Sequence, residues 1–234
     1  MTSKEIRQQI IKSSYEANAC HIGSALSCVE IIKTIYETKK QEDIFVFGKA
    51  SGVCCLYSYL HPERAAELIK KYPLPSKEVE GIIWSGGSLG QGLSVACGLA
   101  LGDRNRKVYC LISDGELQEG QTWEAIMFAN QHKLNNLVVI IDRNFLQALG
   151  NTEDICKLEP ISYKLEDFGW KVTKPDGHNE EEIKRAIETI VDKPKAIIAY
   201  TIKGKGVSFM EDRNDWHYRN LTQVQKDMAL NELR

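Results

Sequence analysis

Residues 107–142 read KVYCLISDGELQEGQTWEAIMFANQHKLNNLVVIID, and this stretch decides the fold of the 234-residue chain. Two apolar, β-rich runs, KVYCLIS (107–113) and NLVVIID (136–142), flank a helix-like segment at about 119–132. A strand, a helix and a second strand in this order are typical of a βαβ unit, whose two strands lie parallel. We therefore expect both runs to be neighbours in a buried parallel sheet.

Similar runs lie on both sides of this unit. DIFVF (43–47), FGWKV (168–172) and KAIIAYT (195–201) are further predicted strands. Helical patterns separate them, and Asn179 is predicted to cap a helix that extends to about 191. Strands that alternate with helices predict an α/β fold, with a parallel sheet flanked by helices on both faces. We expect one domain over residues 1–234.

Capping patterns indicate where the first helices begin. Thr2 and Glu5 match the capping box at the start of one helix, and Ser27 and Glu30 match it before another. HIGS, residues 21–24, is predicted to be a turn between these two helices.

Composition excludes several classes of protein. Thirty Lys and Arg against 32 Asp and Glu give a net charge of −2, which does not favour binding to nucleic acid or to an anionic membrane. No run reaches the roughly 18–20 apolar residues of a membrane span, and charges interrupt the N-terminus where a signal peptide is apolar. The seven cysteines form no CxxC pair and several lie in apolar runs, which favours reduced thiols in a cytoplasmic protein.

A glycine-rich segment precedes a predicted apolar helix. SGGSLGQG (85–92) has four glycines in eight residues. Exposed amides at a helix N-terminus attract anions, and glycine allows a ligand to approach the backbone. An ordinary turn before a helix is the alternative interpretation of this segment.

Oxygen-bearing side chains follow both central strands. SDGE (113–116) ends the first run, and DRNFLQ (142–147) contains the end of the second. If the strands are neighbours, Asp114 and Asn144 emerge at the same edge of the sheet, where ligands bind in open parallel sheets. Such oxygens suit Mg²⁺ or Ca²⁺. Each motif alone is equally compatible with a simple turn, but their joint position favours a site.

Two further segments carry groups suited to a site. IKGKG (202–206) follows the last strong strand and brings two lysines, and His217 lies in the polar segment DWHY. A solvated loop and a surface histidine remain the alternatives for these segments.

Together, these motifs resemble a known family. SGGSLGQGLSVACGLAL, SDGELQEGQTWEA, KLNNLVVIIDRNFLQ and TIKGKGVSFMEDRNDWH are similar to the N-terminal, diphosphate-binding half of a transketolase, and HIGSALSCVEII resembles the HPGS segment of that family. The resemblance covers about residues 5–220. It is strongest to the smaller subunit of split transketolases, whose pyrimidine-binding half is a separate polypeptide.

The resemblance implies that the chain binds thiamine diphosphate together with Mg²⁺ (or Ca²⁺). The implied metal ligands are the side chains of Asp114 and Asn144 and the backbone carbonyl of Leu146. The implied cofactor contacts are Ser24, Gly87, Ser88, Leu89, Asp114, Gly115, Asn144 and Lys203.

The resemblance also implies three groups at the reaction site. His21 and His217 match histidines that lie near the cofactor and the substrate and handle protons on substrate hydroxyls. Glu119 matches an acidic residue buried between subunits, which links the active sites.

The implied reaction is the transfer of a two-carbon ketol unit from a ketose, such as a sugar phosphate, to an aldose. The glutamate that activates the cofactor belongs to the C-terminal, pyrimidine-binding subunit in this family. We therefore expect an α2β2 heterotetramer with that partner, and no activity from this chain alone.

Several positions depart from the pattern of the family. Ser51 replaces an active-site histidine, and a second histidine is missing because the 72–81 segment YPLPSKEVEG is shortened. Ser113 stands where glycine is usual, and Phe145 where a small residue is usual. Three interpretations follow: an unusual ketol donor or acceptor, related chemistry such as 2-oxoacid decarboxylation with acyl or ketol transfer, or a cofactor-binding regulatory subunit with little catalysis.

Overall fold

A five-stranded parallel sheet forms the centre of the structure, a computed structural model that describes residues 1–234. The strand order is β1-β2-β3-β5-β4, and every neighbouring pair is parallel. The predicted α/β class and the predicted pairing of the two central runs are confirmed. The strands are β1 (Ile44–Phe47), β2 (Val108–Ser113), β3 (Leu137–Arg143), β4 (Lys171–Thr173) and β5 (Lys195–Tyr200).

Eleven α-helices cover both faces of the sheet. They are α1 (Ser3–Glu16), α2 (Ile22–Ser27), α3 (Val29–Thr38), α4 (Val53–Leu60), α5 (Ala65–Lys71), α6 (Gln91–Gly102), α7 (Gly120–Gln131), α8 (Thr152–Ile155), α9 (Ile161–Asp167), α10 (Glu180–Glu188) and α11 (Gln223–Glu232). Two separate cores result, because successive side chains of a strand point to opposite faces. Tyr109 and Ile140 pack with α1–α5 and α10, whereas Cys110 and Val139 pack with α6, α7 and α9.

The first predicted capping box is confirmed and the second is wrong. Thr2 accepts a hydrogen bond from the Glu5 amide at 3.2 Å, and Glu5 accepts one from the Thr2 amide at 2.7 Å. Ser27 instead ends α2, and its hydroxyl donates to Asp142 Oδ2 at 2.6 Å. Glu30 is occupied by a different partner, the guanidinium of Arg7.

Other local expectations need smaller corrections. The HIGS segment is only partly a turn, since α2 begins at Ile22 and His21 alone is left-handed, with φ 62°. Asn179 caps α10 as predicted, through a bond from the Glu182 amide, but α10 ends at Glu188. The 72–81 segment is a loop, as expected.

None of these helices combines the length and the apolar composition that crossing a lipid bilayer requires.

A buried ion network ties α1 and α3 to the loop after β5. Arg7 pairs with both carboxylate oxygens of Glu30, at 2.6 and 2.8 Å, and donates through Nε to the Lys205 carbonyl at 2.9 Å. His178 lies 2.9 Å from Glu30 through Nδ1, and its Nε2 accepts from the Ile202 amide at 2.8 Å. The loop that contains Lys203 is therefore held from two sides.

Replacing Glu30 with glutamine should lower the free energy of unfolding at pH 7 by about 3 kcal/mol, because the buried Arg7 loses its counter-ion. Burial raises the pKa of Glu30, but hydrogen bonds from His178 and Arg7 outweigh it and lower the pKa from 4.5 to about 2. A lowered carboxyl pKa stabilises the fold above the unfolded pKa, and the gain is lost as the pH falls towards about 2. The gap between wild type and variant in urea unfolding should therefore shrink below pH 4.5. Glu37→Gln, at an exposed carboxylate, is the control, and a pH-independent gap would contradict the prediction.

Candidate active site

The polar residues that follow β2 and β3 meet at the carboxyl edge of the sheet. Ser113 pairs in register with Asp142, so Asp114 lies beside the end of β3. Asp114, Asp142 and Asn144 are all almost completely buried. The predicted convergence of Asp114 and Asn144 is thus found in the structure.

Hydrogen bonds hold the carboxylate of Asp114 on both oxygens. Its Oδ1 accepts from the Gly115 amide at 2.9 Å, and its Oδ2 accepts from the Phe145 amide at 2.7 Å and from Arg143 at 3.2 Å. Burial raises the pKa of Asp114 to about 6, and the neighbouring Asp142 adds to this rise, while Arg143 partly opposes it. A cation at this carboxylate would favour its charged form.

The Asn144–Leu146 turn brings further oxygens to the same place. Phe145 has a φ of 65°, a left-handed conformation that is unusual for a bulky residue. Asn144 Oδ1 accepts from the Leu146 amide at 3.1 Å, and the Leu146 carbonyl lies 3.5 Å from Lys203 Nζ. A carboxylate, an amide oxygen and a carbonyl form a hard donor set that fits Mg²⁺. Water and phosphate oxygens would complete the coordination of a cation held by these three protein donors.

The glycine-rich segment runs directly into α6. Gly90 has a φ of 84°, and a Cβ on Gly92 would lie 2.6 Å from the Cα of Gly48, so neither position accepts a side chain easily. Glu116 lies beneath the turn, where its Oε1 accepts from the Gly90 amide at 3.4 Å. Burial raises the pKa of Glu116 to about 7. The segment is thus held close to the loop that follows β2.

A buried ion pair that the sequence reasoning did not identify lies below the site. Lys49 Nζ is 3.1 Å from Asp142 Oδ2, and both side chains are at most 1% exposed. Ser27 and Thr201 also donate to the carboxylate of Asp142. The sequence did contain a sign of this pair, since a charged residue stands at the end of each of two apolar runs, Lys49 after the first and Asp142 at the end of the second. A charged side chain that is buried at such a position needs a partner of opposite charge.

The two predicted histidines contact each other. The rings of His21 and His217 are 4.8 Å apart and nearly perpendicular, and the His21 amide donates to the His217 carbonyl at 3.0 Å. Burial, with the ammonium groups of Lys49 and Lys203 nearby, lowers the pKa of His21 to about 4. Burial and Lys203 lower the pKa of His217 to about 3. Both imidazoles are therefore neutral near pH 7.

Lys203 fixes the tautomer of His217. Its Nζ lies 2.9 Å from His217 Nδ1, and an ammonium group can only donate, so Nδ1 accepts and Nε2 carries the ring proton. Burial, with Lys49 nearby, lowers the pKa of Lys203 to about 8. His217 is therefore oriented as a neutral hydrogen-bond donor.

A cleft of about 290 Å³ opens above these groups. The predicted site residues that line it are His21, Gly87, Leu89, Gly115, Glu119 and His217. Glu119 is exposed at its edge, and Ser88 lies in an adjoining groove. Ser24 is buried within α2, and its carbonyl accepts from Ser27 at 3.0 Å.

Small and apolar groups occupy the wall of the cleft where the resemblance implied two histidines. Ala50 and Ser51 form one part, and Leu74 of the shortened loop forms another. A Cβ on Gly87 would lie 2.7 Å from Leu74 Cδ1, so Leu74 covers that glycine directly. The Tyr57 hydroxyl donates to the Leu74 carbonyl at 2.9 Å and holds this loop in place. Tyr218, which no sequence pattern indicated, also lines the cleft.

Comparison with known proteins relates both sequence and structure to one group. The family described as "Transketolase, thiamine diphosphate binding domain" matches residues 72–231. An apulose-4-phosphate transketolase subunit of Phocaeicola vulgatus is 36% identical over 262 residues, covering 100% of this chain and 92% of the relative. A 6-deoxy-6-sulfo-D-fructose transketolase subunit of a Clostridium species is 34% identical and covers 97% of this chain and 93% of the relative.

The crystal structure of transketolase from Campylobacter jejuni superposes with a TM-score of 0.90 at 28% sequence identity. The match covers 99% of this chain, but this chain spans only 42% of that enzyme. The matches to the two subunits above, by contrast, cover more than nine-tenths of each of those chains.

Proposed function

Because the chain belongs to the transketolase family, we propose that it is the N-terminal, diphosphate-binding subunit of a two-chain, thiamine-diphosphate-dependent transketolase. In this proposal residues 1–234 form one cofactor-binding domain, which works in the cytoplasm, and the seven free cysteines fit that reducing compartment. The observation that carries the proposal is a cleft lined by two neutral histidines, with Asp114, Asn144 and two lysines buried directly beneath it.

The chain's own residues fit the cofactor and its metal. Asp114, Asn144 and the Leu146 carbonyl would hold Mg²⁺, which would help to bind the negatively charged diphosphate. The glycine-rich turn would receive the diphosphate on exposed backbone. Thiamine diphosphate, when bound, supplies the nucleophilic carbon and the electron sink for cleavage of a ketose C–C bond. The proposed cofactor contacts are Ser24, Gly87, Ser88, Leu89, Asp114, Gly115, Asn144 and Lys203.

His217 and His21 would act on the substrate. With its proton on Nε2, His217 can donate to a sugar oxygen, and its lowered pKa keeps the ring neutral while it does so. His21, in contact with it, can accept or share a proton with a substrate hydroxyl. We assign both as catalytic residues.

The proposal includes a partner subunit. The related chains are named as subunits, and we infer that the partner is a separate pyrimidine-binding subunit in an α2β2 heterotetramer. Glu119, exposed at the cleft edge in the single chain, would become buried between subunits and link the active sites. The partner would supply the glutamate that activates the cofactor, so this chain alone should be inactive.

The cleft wall favours an unusual ketol donor or acceptor. Ser51 and Leu74 offer less hydrogen bonding than two histidines would, so a sugar with fewer or displaced hydroxyls fits this wall better than an ordinary ketose phosphate. The relatives act on apulose 4-phosphate and on a 6-deoxy-6-sulfo sugar, according to their names. We propose a specialised sugar of this kind as the substrate.

Reconstitution with the partner subunit tests this function. The two chains are purified together with thiamine diphosphate and Mg²⁺, and pools of ketose phosphates, aldoses and 2-oxoacids are screened by mass spectrometry. Transfer of a two-carbon unit to an aldose is the expected result. Turnover of 2-oxoacids alone would instead support decarboxylation chemistry, and cofactor binding without any turnover would support a regulatory subunit.

Replacing His217 with glutamine should lower kcat of the reconstituted enzyme about 10²-fold, because glutamine retains a donor but not the geometry or proton affinity of the imidazole. Steady-state rates with the best donor measure the effect. His132→Gln, at an exposed histidine that follows α7, is the matched control. An unchanged kcat would remove His217 from the catalytic residues.

A further inference from the structure

Arg143 is a fully buried arginine at the end of β3. Its guanidinium lies between the carboxylate of Asp114 and residues 152–159, which come later in the chain. Neither the predicted metal set nor the predicted cofactor contacts include it.

The guanidinium makes contacts through all three of its nitrogens. NH1 donates to Asp114 at 3.2 Å and to the Thr152 hydroxyl at 2.6 Å. NH2 donates to Glu153 at 2.8 Å, and Nε and NH2 donate to Glu159 at 3.2 and 3.1 Å. A planar, multidentate fork of this kind fixes its partners in position, which an ammonium group cannot do.

The same group packs against the strained turn of the site. The guanidinium carbon of Arg143 lies 3.9 Å from the ring centre of Phe145, and that ring also stacks with Tyr200. The Phe145 amide donates to the same Asp114 oxygen that Arg143 contacts. Arg143 thus restrains both the ring and the backbone of a residue at positive φ.

This restraint determines where two proposed metal donors lie. Asn144 precedes Phe145 and Leu146 follows it, so a relaxation of φ at Phe145 would turn the Leu146 carbonyl relative to the Asn144 side chain. Replacing a group that orients metal ligands without itself contacting the metal typically lowers metal affinity about 10–100-fold.

We propose that Arg143 is a positioning residue that locks residues 144–159 into the metal-binding conformation before the metal arrives. It does so by bridging Asp114 to the acidic segment at Glu153 and Glu159 and by holding Phe145 in its left-handed conformation. The inference rests on the proposed function only for the identity of the metal and the cofactor.

Hydrogen–deuterium exchange of the ligand-free chain tests directly whether Arg143 restrains residues 144–159. In Arg143→Lys, the amides of residues 144–159 should exchange at least about tenfold faster, while those of α1 and α3 keep the wild-type rates. Arg106→Lys, at an exposed arginine, is the control. Unchanged exchange at residues 144–159, or an equal rise throughout the chain, would overturn the proposal.

Magnesium titration tests the consequence for the site. With excess thiamine diphosphate and the partner chain present, Arg143→Lys should weaken Mg²⁺ binding about 10–100-fold by calorimetry. Adding Phe145→Gly should recover part of this loss, because glycine adopts a positive φ without strain. No loss in the single variant, or no recovery in the double variant, would overturn the proposed mode of action.

The two experiments separate this inference from the proposed function. A wild-type complex that binds no thiamine diphosphate would contradict the proposed function. The exchange experiment contains no ligand, so it decides the role of Arg143 in either case.

Discussion

Replacing Asp114 with asparagine is expected to abolish Mg²⁺-dependent binding of thiamine diphosphate and to lower ketol transfer by at least about 10³-fold. Asp114 is the only proposed metal ligand that carries a charge, since the others are an amide oxygen and a carbonyl. Asparagine has the same shape but loses the negative charge, so the remaining neutral donors would not retain the cation against water. Calorimetry of cofactor binding with and without Mg²⁺ measures the first effect, and the rate of the reconstituted enzyme measures the second.

Two controls make this result specific. Asp103→Asn changes a partly exposed carboxylate in the loop before β2 and should leave cofactor binding unchanged. Urea unfolding of Asp114→Asn shows whether loss of the ion pair between Asp114 and Arg143 has destabilised the fold. A folded Asp114→Asn variant with wild-type cofactor affinity would disprove the metal assignment.

Replacing Lys49 with methionine should lower the free energy of unfolding by about 3–5 kcal/mol, because it leaves a buried carboxylate without its counter-ion. Asp142 would retain only the hydroxyls of Ser27 and Thr201. Native domains are stable by only about 5–15 kcal/mol, so this loss is a large part of the total. Urea unfolding followed by circular dichroism measures it.

Adding Asp142→Asn to Lys49→Met shows whether the lost stability comes from an unpaired charge or from lost packing. In the Lys49→Met/Asp142→Asn variant neither member of the buried pair is left as an unpaired charge, so most of the lost stability should return. Lys107→Met, at an exposed lysine just before β2, should change stability by less than about 0.5 kcal/mol. If the double variant is no more stable than Lys49→Met alone, the lost stability comes from packing and our explanation is wrong.

The sheet and the position of the site were predictable because both follow from short-range patterns. The apolar runs at 107–113 and 136–142 are long enough to be strands, and a parallel pair must bring its carboxyl ends together. Asp114 and Asn144 could therefore be placed near each other without a structure. The same reasoning could not identify Lys49 and Arg143 as the cations that balance the charges of Asp142 and Asp114.

Long-range contacts explain what was missed. Ser27 matched the local pattern of a helix cap, but its hydroxyl donates a hydrogen bond to Asp142, which lies 115 residues later in the chain. Glu30 likewise serves Arg7 and His178 rather than a helix start. Local patterns cannot anticipate such pairs, since a buried charge recruits whichever partner the fold brings to it. Leu74 was missed for a related reason, because a shortened loop does not indicate which side chain fills the space.

The partners of Asp142 also constrain the order in which the protein can form during synthesis. Its two hydroxyl donors are 115 residues earlier and 59 residues later in the chain. Until the ribosome has produced β5 and Thr201, the Asp142 carboxylate at the end of β3 lacks one of its two hydroxyl donors. Domains of this size often pass through partly folded intermediates. We expect the nascent chain to remain open at this edge, and accessible to chaperones, until residue 201 has emerged.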